Sequence, residues 1–418
     1  MGNLVDRRNF NVAAFSSFKN KTFWKIVFVS AICCGLIYFY YRVFYEYIPF
    51  LTHSRNILFG SDTDERILTY YTRGRHFLHF IISIIFDKLF YIFLDPFYSA
   101  KLISAIMGSA ASLVMFFICY KVSLNFFISI LLFLAYALSA AVLIFSSIPE
   151  SFMTTAFMTN LLILAYLFSD VTKIKSCIIL AIVTVLSYFA SGHHLITIAF
   201  TAFYIFLKNF QNNKFYIRYT LIFLIACFLS ILLPVFLSNI FIRTEYKDFL
   251  WHIKHQLRWL RLSGLFDCNS WKYVVTNFFL FSISPPDCPL TPEGTIPIKN
   301  IVVYFIRLPG LGFIITYGLL LVVSIKNIYY HRHIICHNIW VVYTLGLIYL
   351  VFFVTFDSRE AFTFSSFFIF LPISLIAQGI AFVKSRSIYF ILSLFIFFIS
   401  INNILFLNNV VNHIVLKK

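Results

Sequence analysis

Four stretches of this chain carry residue types suited to acid–base or phosphate chemistry. The first is Gly60-Ser61-Asp62-Thr63-Asp64-Glu65-Arg66, followed by Arg73, Arg75 and His76. Asp62 with Glu65 three residues on fits a capping box at a helix start, where acids are favoured by the dipole. The same carboxylates, presented from a short helix and flanked by cations, also suit proton transfer beside an anionic substrate. The second stretch is Ser147-Ile148-Pro149-Glu150-Ser151, where Glu150 is either a helix-start acid after Pro149 or a working carboxylate at a bundle edge. The third, Phe356-Asp357-Ser358-Arg359-Glu360-Ala361, opens an apolar run that ends at Pro372. Arg359 has the planar fork that matches phosphate oxygens, and Asp357 or Glu360 offers it a local ion pair instead.

The fourth stretch interleaves Lys254, Arg258 and Arg261 with Trp251, Trp259 and Trp271. Trp beside Lys or Arg often marks an interfacial anchor. An amphipathic helix meeting lipid phosphate is the functional alternative. His193-His194 are adjacent, so they do not share a helix face, and a metal pair using both is not expected. Of eight Cys, six lie in or beside apolar runs and behave as small hydrophobes. Cys268 and Cys288 share one loop and could pair in an oxidising compartment. No Gly-rich phosphate loop is found.

The elements that position these residues follow from composition. Hydrophobic residues make up 61% of the 418, and charged residues only 12%. A soluble core cannot absorb that much apolar surface. The expected fold is therefore an all-α polytopic membrane protein. Soluble enzyme, DNA-binding domain, secreted disulfide scaffold and disordered tail are excluded. The net charge of +17 is explained largely by the concentration of Lys and Arg in short cytoplasmic loops, so no nucleic-acid partner is called for.

A basic leader, 1–23, stays in the cytoplasm. About eleven spans are predicted, near 24–44, 98–120, 123–147, 152–169, 176–191, 194–209, 218–241, 301–325, 338–356, 361–383 and 387–408. The segment 76–94 is ambiguous, with two His and an Asp87–Lys88 pair. If it crossed, Lys121, Lys173, Lys208, Lys326 and Lys384 would all face outward. Treating it as an interfacial or half-embedded helix keeps those loops in the cytoplasm. The outer face then carries a first loop of 45–97, the Glu150 turn, His193-His194, a long loop of 242–300 and the turn at Asp357–Glu360. All four chemical stretches lie on that side. The whole chain, 1–418, reads as a single membrane domain without internal repeats.

On these residues the chain resembles the GT-C superfamily of membrane glycosyltransferases. Asp64-Glu65 is similar to that superfamily's acid pair in the first outer loop, and Glu150 stands where a second acid recurs. One branch comprises aminoarabinose transferases of lipid A and protein O-mannosyltransferases. The other comprises the dolichol-phosphate-mannose-dependent mannosyltransferases of N-glycan and GPI-anchor assembly. Ser358-Arg359-Glu360-Ala361-Phe362, running on to Pro372, looks like a reduced form of the second branch's late motif, without its His and second basic residue. Thr63 stands where Pro usually precedes the acid pair.

The resemblance implies a polyprenyl-phosphate sugar donor, with mannose the expected sugar, and inversion at the anomeric carbon. Asp64 would be the base, with Glu65 or Asp62 next in line. Glu150 would orient the acceptor or hold a metal, and Arg359 with Arg258 or Arg261 would bind phosphate. A divalent cation is left open. The late motif points to the ER membrane, whereas the lack of outer-face glycosylation sequons points to a bacterial inner membrane. An O-antigen-type polymerase or ligase is the first alternative; it would need arginines of the long loop and not Asp64. A lipid-linked-sugar flippase or transporter would need broken or charged helices near the midplane.

Overall fold

The computed structural model describes residues 21–47, 77–90, 96–211, 216–241, 261–291, 296, 305, 307–335, 337–356, 361–383 and 385–416. Those residues are helical almost throughout, and no strand occurs among them. The helices are α1 (Lys21–Arg42), α2 (Phe77–Phe90), α3 (Pro96–Ser123), α4 (Phe126–Ala137), α5 (Ala140–Ser147), α6 (Phe152–Phe168), α7 (Ile174–Ala190) and α8 (Leu195–Gln211). They continue as α9 (Tyr216–Phe241), α10 (Cys268–Thr276), α11 (Leu308–Tyr330), α12 (His337–Thr355), α13 (Ala361–Ser365), α14 (Phe370–Ile380) and α15 (Ser387–Leu416). Among the described residues, α1, α3, α11, α12 and α15 are each long and apolar enough to cross a membrane, and α4 with α5, bent by 59°, form a further passage. This is a multi-pass integral membrane fold, and each of the eleven expected spans falls on a helix or a broken helix.

Helix α2 has 14 residues, about 21 Å at 1.5 Å per residue, against a hydrocarbon core of about 30 Å. It packs against α3 and α7. Helix α3 is the hub, lying against α1, α4, α5, α6 and α14. Close approach there depends on small residues: Gly108 sits under Ser146, and a Cβ at Gly379 would lie 2.1 Å from Ser324 Cα, which welds α14 to α11. Phe313, Tyr317 and Phe395 stack between α11 and α15.

Three features differ from the sequence reading. In the expected span at 301–325 the described helix is Leu308–Tyr330, which runs on past 325, with Pro309 in its first turn and Arg307 paired with Asp287 at 2.8 Å, while 301–304 and 306 lie outside the described residues. The span at 361–383 is split into α13 and α14. Most consequentially, the long loop of 242–300 is not wholly external. Its helix α10 leads into a turn of π-helix at Asn277–Phe281, after which Ser282, Ile283, Ser284 and Cys288 are fully buried.

That buried turn explains the break between α4 and α5. Breaking a helix frees backbone N–H and C=O groups, and in lipid these must be satisfied within the protein. Ala140 and Ala141 donate their N–H to the carbonyls of Ile283 and Ser282, each at 3.0 Å. Asn403 of α15 donates to the carbonyls of Leu138 and Ile283, at 2.7 and 2.9 Å, and Asn402 donates to Ser284 Oγ at 2.7 Å. Cys268 is exposed and Cys288 buried, and both are free thiols. The bridge expected between them is not formed, because the buried turn carries Cys288 into the core while Cys268 stays at the surface.

Candidate functional site

The turn between α5 and α6 places Glu150 at the end of the bundle, 1% exposed. Ser104 of α3 clamps its backbone from both sides: the Glu150 N–H donates to Ser104 Oγ at 3.1 Å, and that hydroxyl is within 3.0 Å of the Glu150 carbonyl. The Ser151 N–H donates to Glu150 Oε2 at 3.2 Å, which orients the carboxylate. A buried carboxylate is expensive without such partners. Four residues on, Thr154 Oγ1 meets His79 Nδ1 of α2 at 2.7 Å, so the helix that follows the first-loop acids in sequence is fastened beside this turn.

The Ser191–His194 turn lies next to it, joined by the Thr155 hydroxyl, which donates to the Ala190 carbonyl at 3.3 Å. Hydrogen bookkeeping determines the His194 tautomer. Thr159 Oγ1 donates to the Thr155 carbonyl at 2.8 Å, so it accepts from His194 Nε2–H at 3.2 Å. His194 Nδ1 therefore accepts from the Tyr349 hydroxyl. His194 is thus a satisfied core histidine. His193 Nδ1 meets Ser191 Oγ at 2.7 Å, while its Nε2 has no partner among the described residues and lies in a collar of Phe352, Phe353, Phe356 and Phe364. Burial pushes the His193 pKa down to about 4 and that of His194 to about 3, so both rings are neutral at pH 7.

The collar joins these turns to the mouth between α12 and α13. Phe364 packs on Phe152 and on His193, and Phe362 packs on Phe145. Into the same mouth comes the long loop. The Arg261 N–H donates to the Thr355 carbonyl, and Gly264 lies so close to Val354 that a Cβ would sit 2.3 Å from its carbonyl oxygen. Trp271 Nε1 ties the segment together by donating to the Leu265 carbonyl at 2.9 Å. The Arg261 side chain is exposed. Asp267 is spent as the N-cap of α10; the Ser270 hydroxyl and the Asn269 N–H hold its carboxyl below the ordinary range.

Of the residues singled out from sequence, Glu150 and Arg261 are thus placed at one end of the bundle. Asp62, Asp64, Glu65, Arg258 and Arg359 lie outside the described residues. No group of three metal-ligating side chains comes together among the described residues. Sequence reasoning missed Ser104, His79 and the buried Lys101 of α3. A lysine as the sixth residue of an apolar helix was the one available signal for the last of these, since an intramembrane cation needs a partner.

Among the described residues the fold is that of an all-helical, multi-pass membrane protein. No family model matches the chain, and no curated protein matches it. A solved structure to which it is similar is that of ArnT from Cupriavidus metallidurans bound to undecaprenyl phosphate, with 12% sequence identity, 87% of this chain and 78% of that chain covered, and a TM-score of 0.39.

Proposed function

We propose that this protein is a membrane glycosyltransferase of the GT-C kind. It would transfer a sugar, read as mannose, from a polyprenyl-phosphate donor to a lipid-linked glycan or another lipid or protein acceptor at the outer or lumenal membrane face. The observation that carries this reading is the placement, at one end of the bundle, of the buried Glu150 and of the Arg261 segment held against Val354 and Thr355, with α2 fastened beside Glu150.

In this mechanism Asp64 takes the proton of the acceptor hydroxyl, with Glu65 or Asp62 in reserve. The hydroxyl oxygen forms a bond to the anomeric carbon as the bond from that carbon to the phosphate oxygen breaks, inverting the centre. The electron pair leaves with the phosphate, whose growing charge is met by Arg359 with Arg258 or Arg261. Glu150, oriented by Ser104 and Ser151, positions the acceptor. It is also the group that would contribute to a divalent cation, and no step above depends on one. The late motif favours the ER membrane with the N-terminus in the cytoplasm, and a bacterial inner membrane is the alternative setting.

The test is sugar transfer by the purified protein from a panel of polyprenyl-phosphate sugars, with Asp64→Asn alongside. Loss of roughly 10²–10⁴-fold is expected on removing a general base, with donor binding retained. Unchanged transfer by Asp64→Asn overturns the assignment. The docking of Arg261 at the mouth favours a second reading, the O-antigen-type polymerase or ligase; that reading gains if Arg261→Ala abolishes activity while Asp64→Asn does not.

A further inference from the structure

Helix α12 carries a stripe that faces outward along its length. Trp340, Thr344, Leu347 and Val351 are all exposed, and their spacing puts them in one row on one face of the helix. In an apolar span such a row faces lipid. The helix has 19 residues, about 28 Å at 1.5 Å per residue, against a hydrocarbon core of about 30 Å. Its last residue, Thr355, therefore lies at the edge of that core. Thr355 is next in the exposed row, yet it is buried, because a short 3₁₀ turn at Leu262–Phe266 lies against this end of the helix.

Two contacts fix the level of that turn. The Arg261 N–H donates to the Thr355 carbonyl, one of the last-turn carbonyls that no helical N–H can reach. Gly264 then meets the Val354 carbonyl, one residue deeper. From Arg261 to Gly264 the chain thus stays level with the end of α12. These contacts account for the attachment of the turn, with Trp271 bonded behind it to the Leu265 carbonyl. They do not account for Leu262 and Phe266, which turn away from the protein and are 70% and 90% exposed. Arg261 and Lys272 are exposed on either side. The neighbouring acid, Asp267, already accepts the N–H groups of Asn269 and Ser270 and the Ser270 hydroxyl.

We infer that the Leu262–Phe266 turn is a membrane anchor, with Leu262 and Phe266 inserted into the leaflet at this end of the bundle. The bilayer, and not a protein partner, is the occupant because the turn caps the lipid-facing row of α12 and is held at headgroup depth. Each headgroup layer is about 5–8 Å deep. Phe266 lies two residues past Gly264, about 4 Å further along at 2 Å per residue, and so falls inside that layer. Apolar side chains flanked by Arg and Lys are what an element lying in the interface requires. Such an anchor sets the depth of the Arg261 segment whatever reaction the protein carries out.

The test uses the full chain in phosphatidylcholine nanodiscs, with 4-trifluoromethylphenylalanine in place of Phe266. Fluorine relaxation by a water-soluble nickel chelate reads exposure to water, and relaxation by dissolved oxygen reads exposure to lipid. Burial of a Phe side chain favours the inserted state about tenfold or more, so the nickel effect should be about a tenth of that on the free amino acid, with the oxygen effect raised. With the probe in place of Leu262 instead, Phe266→Asp should raise the nickel effect severalfold, and Phe266→Leu should not. Phe266 is exposed, so both variants leave the packed core intact. A nickel effect at 266 equal to that on the free amino acid overturns the anchor. Exclusion of nickel and oxygen alike also overturns it, since protein would then cover the turn. A probe at 262 that does not respond to Phe266→Asp overturns insertion of the turn as a unit. None of these readouts involves sugar transfer, so their failure leaves the glycosyltransferase reading standing.

Discussion

Gly264→Ala tests whether the long loop is held at the mouth between α12 and α13. A Cβ at Gly264 would lie 2.3 Å from the Val354 carbonyl oxygen and 3.3 Å from its carbonyl carbon. Backbone cannot rotate away as a side chain can, so the segment from Arg261 to Phe266 must lift by the better part of an ångström. Overpacking of this kind costs about 1–3 kcal/mol, and the lift also strains the bond from the Arg261 N–H to the Thr355 carbonyl. Hydrogen–deuterium exchange reads that opening directly, because the exchange of a bonded amide follows its local opening free energy. At 1.4 kcal/mol per factor of ten, the Arg261 amide should exchange roughly 5- to 150-fold faster in Gly264→Ala, with amides in α3 unchanged. If Arg261 serves the reaction, sugar transfer should fall in Gly264→Ala and Arg261→Ala alike. An Arg261 amide exchanging at the wild-type rate would refute the docked geometry.

Two further tests concern the buried turns. His194→Phe leaves the Tyr349 hydroxyl without its acceptor and should cost about 1–3 kcal/mol, read as a lower thermal midpoint in detergent; His193→Phe, which removes a ring nitrogen that already lacks a partner, should cost less. Both rings have folded-state pKa values below the unfolded value of about 6.5, so the unfolded chain binds more protons between these limits. Stability should therefore fall as pH drops from about 6.5 toward 4, and that fall should shrink in the double variant; an unchanged pH profile would count against their burial as neutral rings. Glu150→Gln keeps an acceptor for the Ser151 N–H and should leave the thermal midpoint in place while lowering transfer about a hundredfold through misplacement of the acceptor. Full activity in Glu150→Gln would remove Glu150 from the site.

Hydropathy and the placement of Lys and Arg are local properties, and they were enough for the class of the protein and for placing its apolar helices along the chain. Each apolar run had to bury or face lipid along its whole length, so span positions were readable from sequence to within a few residues, as at Ser387, His337 and Phe152. Glu150 stood out because an acid between two such runs has few places to go. What the tertiary structure alone decided were the pairings between residues far apart in the chain. Nothing in the run 123–147 announces that it breaks at Leu138 and Ser139, because the carbonyls and amides that repair the break come from Ile283, Ser282 and Asn403. The loop of 242–300 contains Asp267, Arg261 and Trp271 and reads as external, yet its segment 282–288 is buried for that same repair. Nothing local to Lys101 announces its burial, because the Val43 carbonyl that accepts from it comes from the end of α1. In lipid every freed backbone group and every buried charge must find a partner within the protein or in a ligand, and which partner it finds is determined by packing across hundreds of residues.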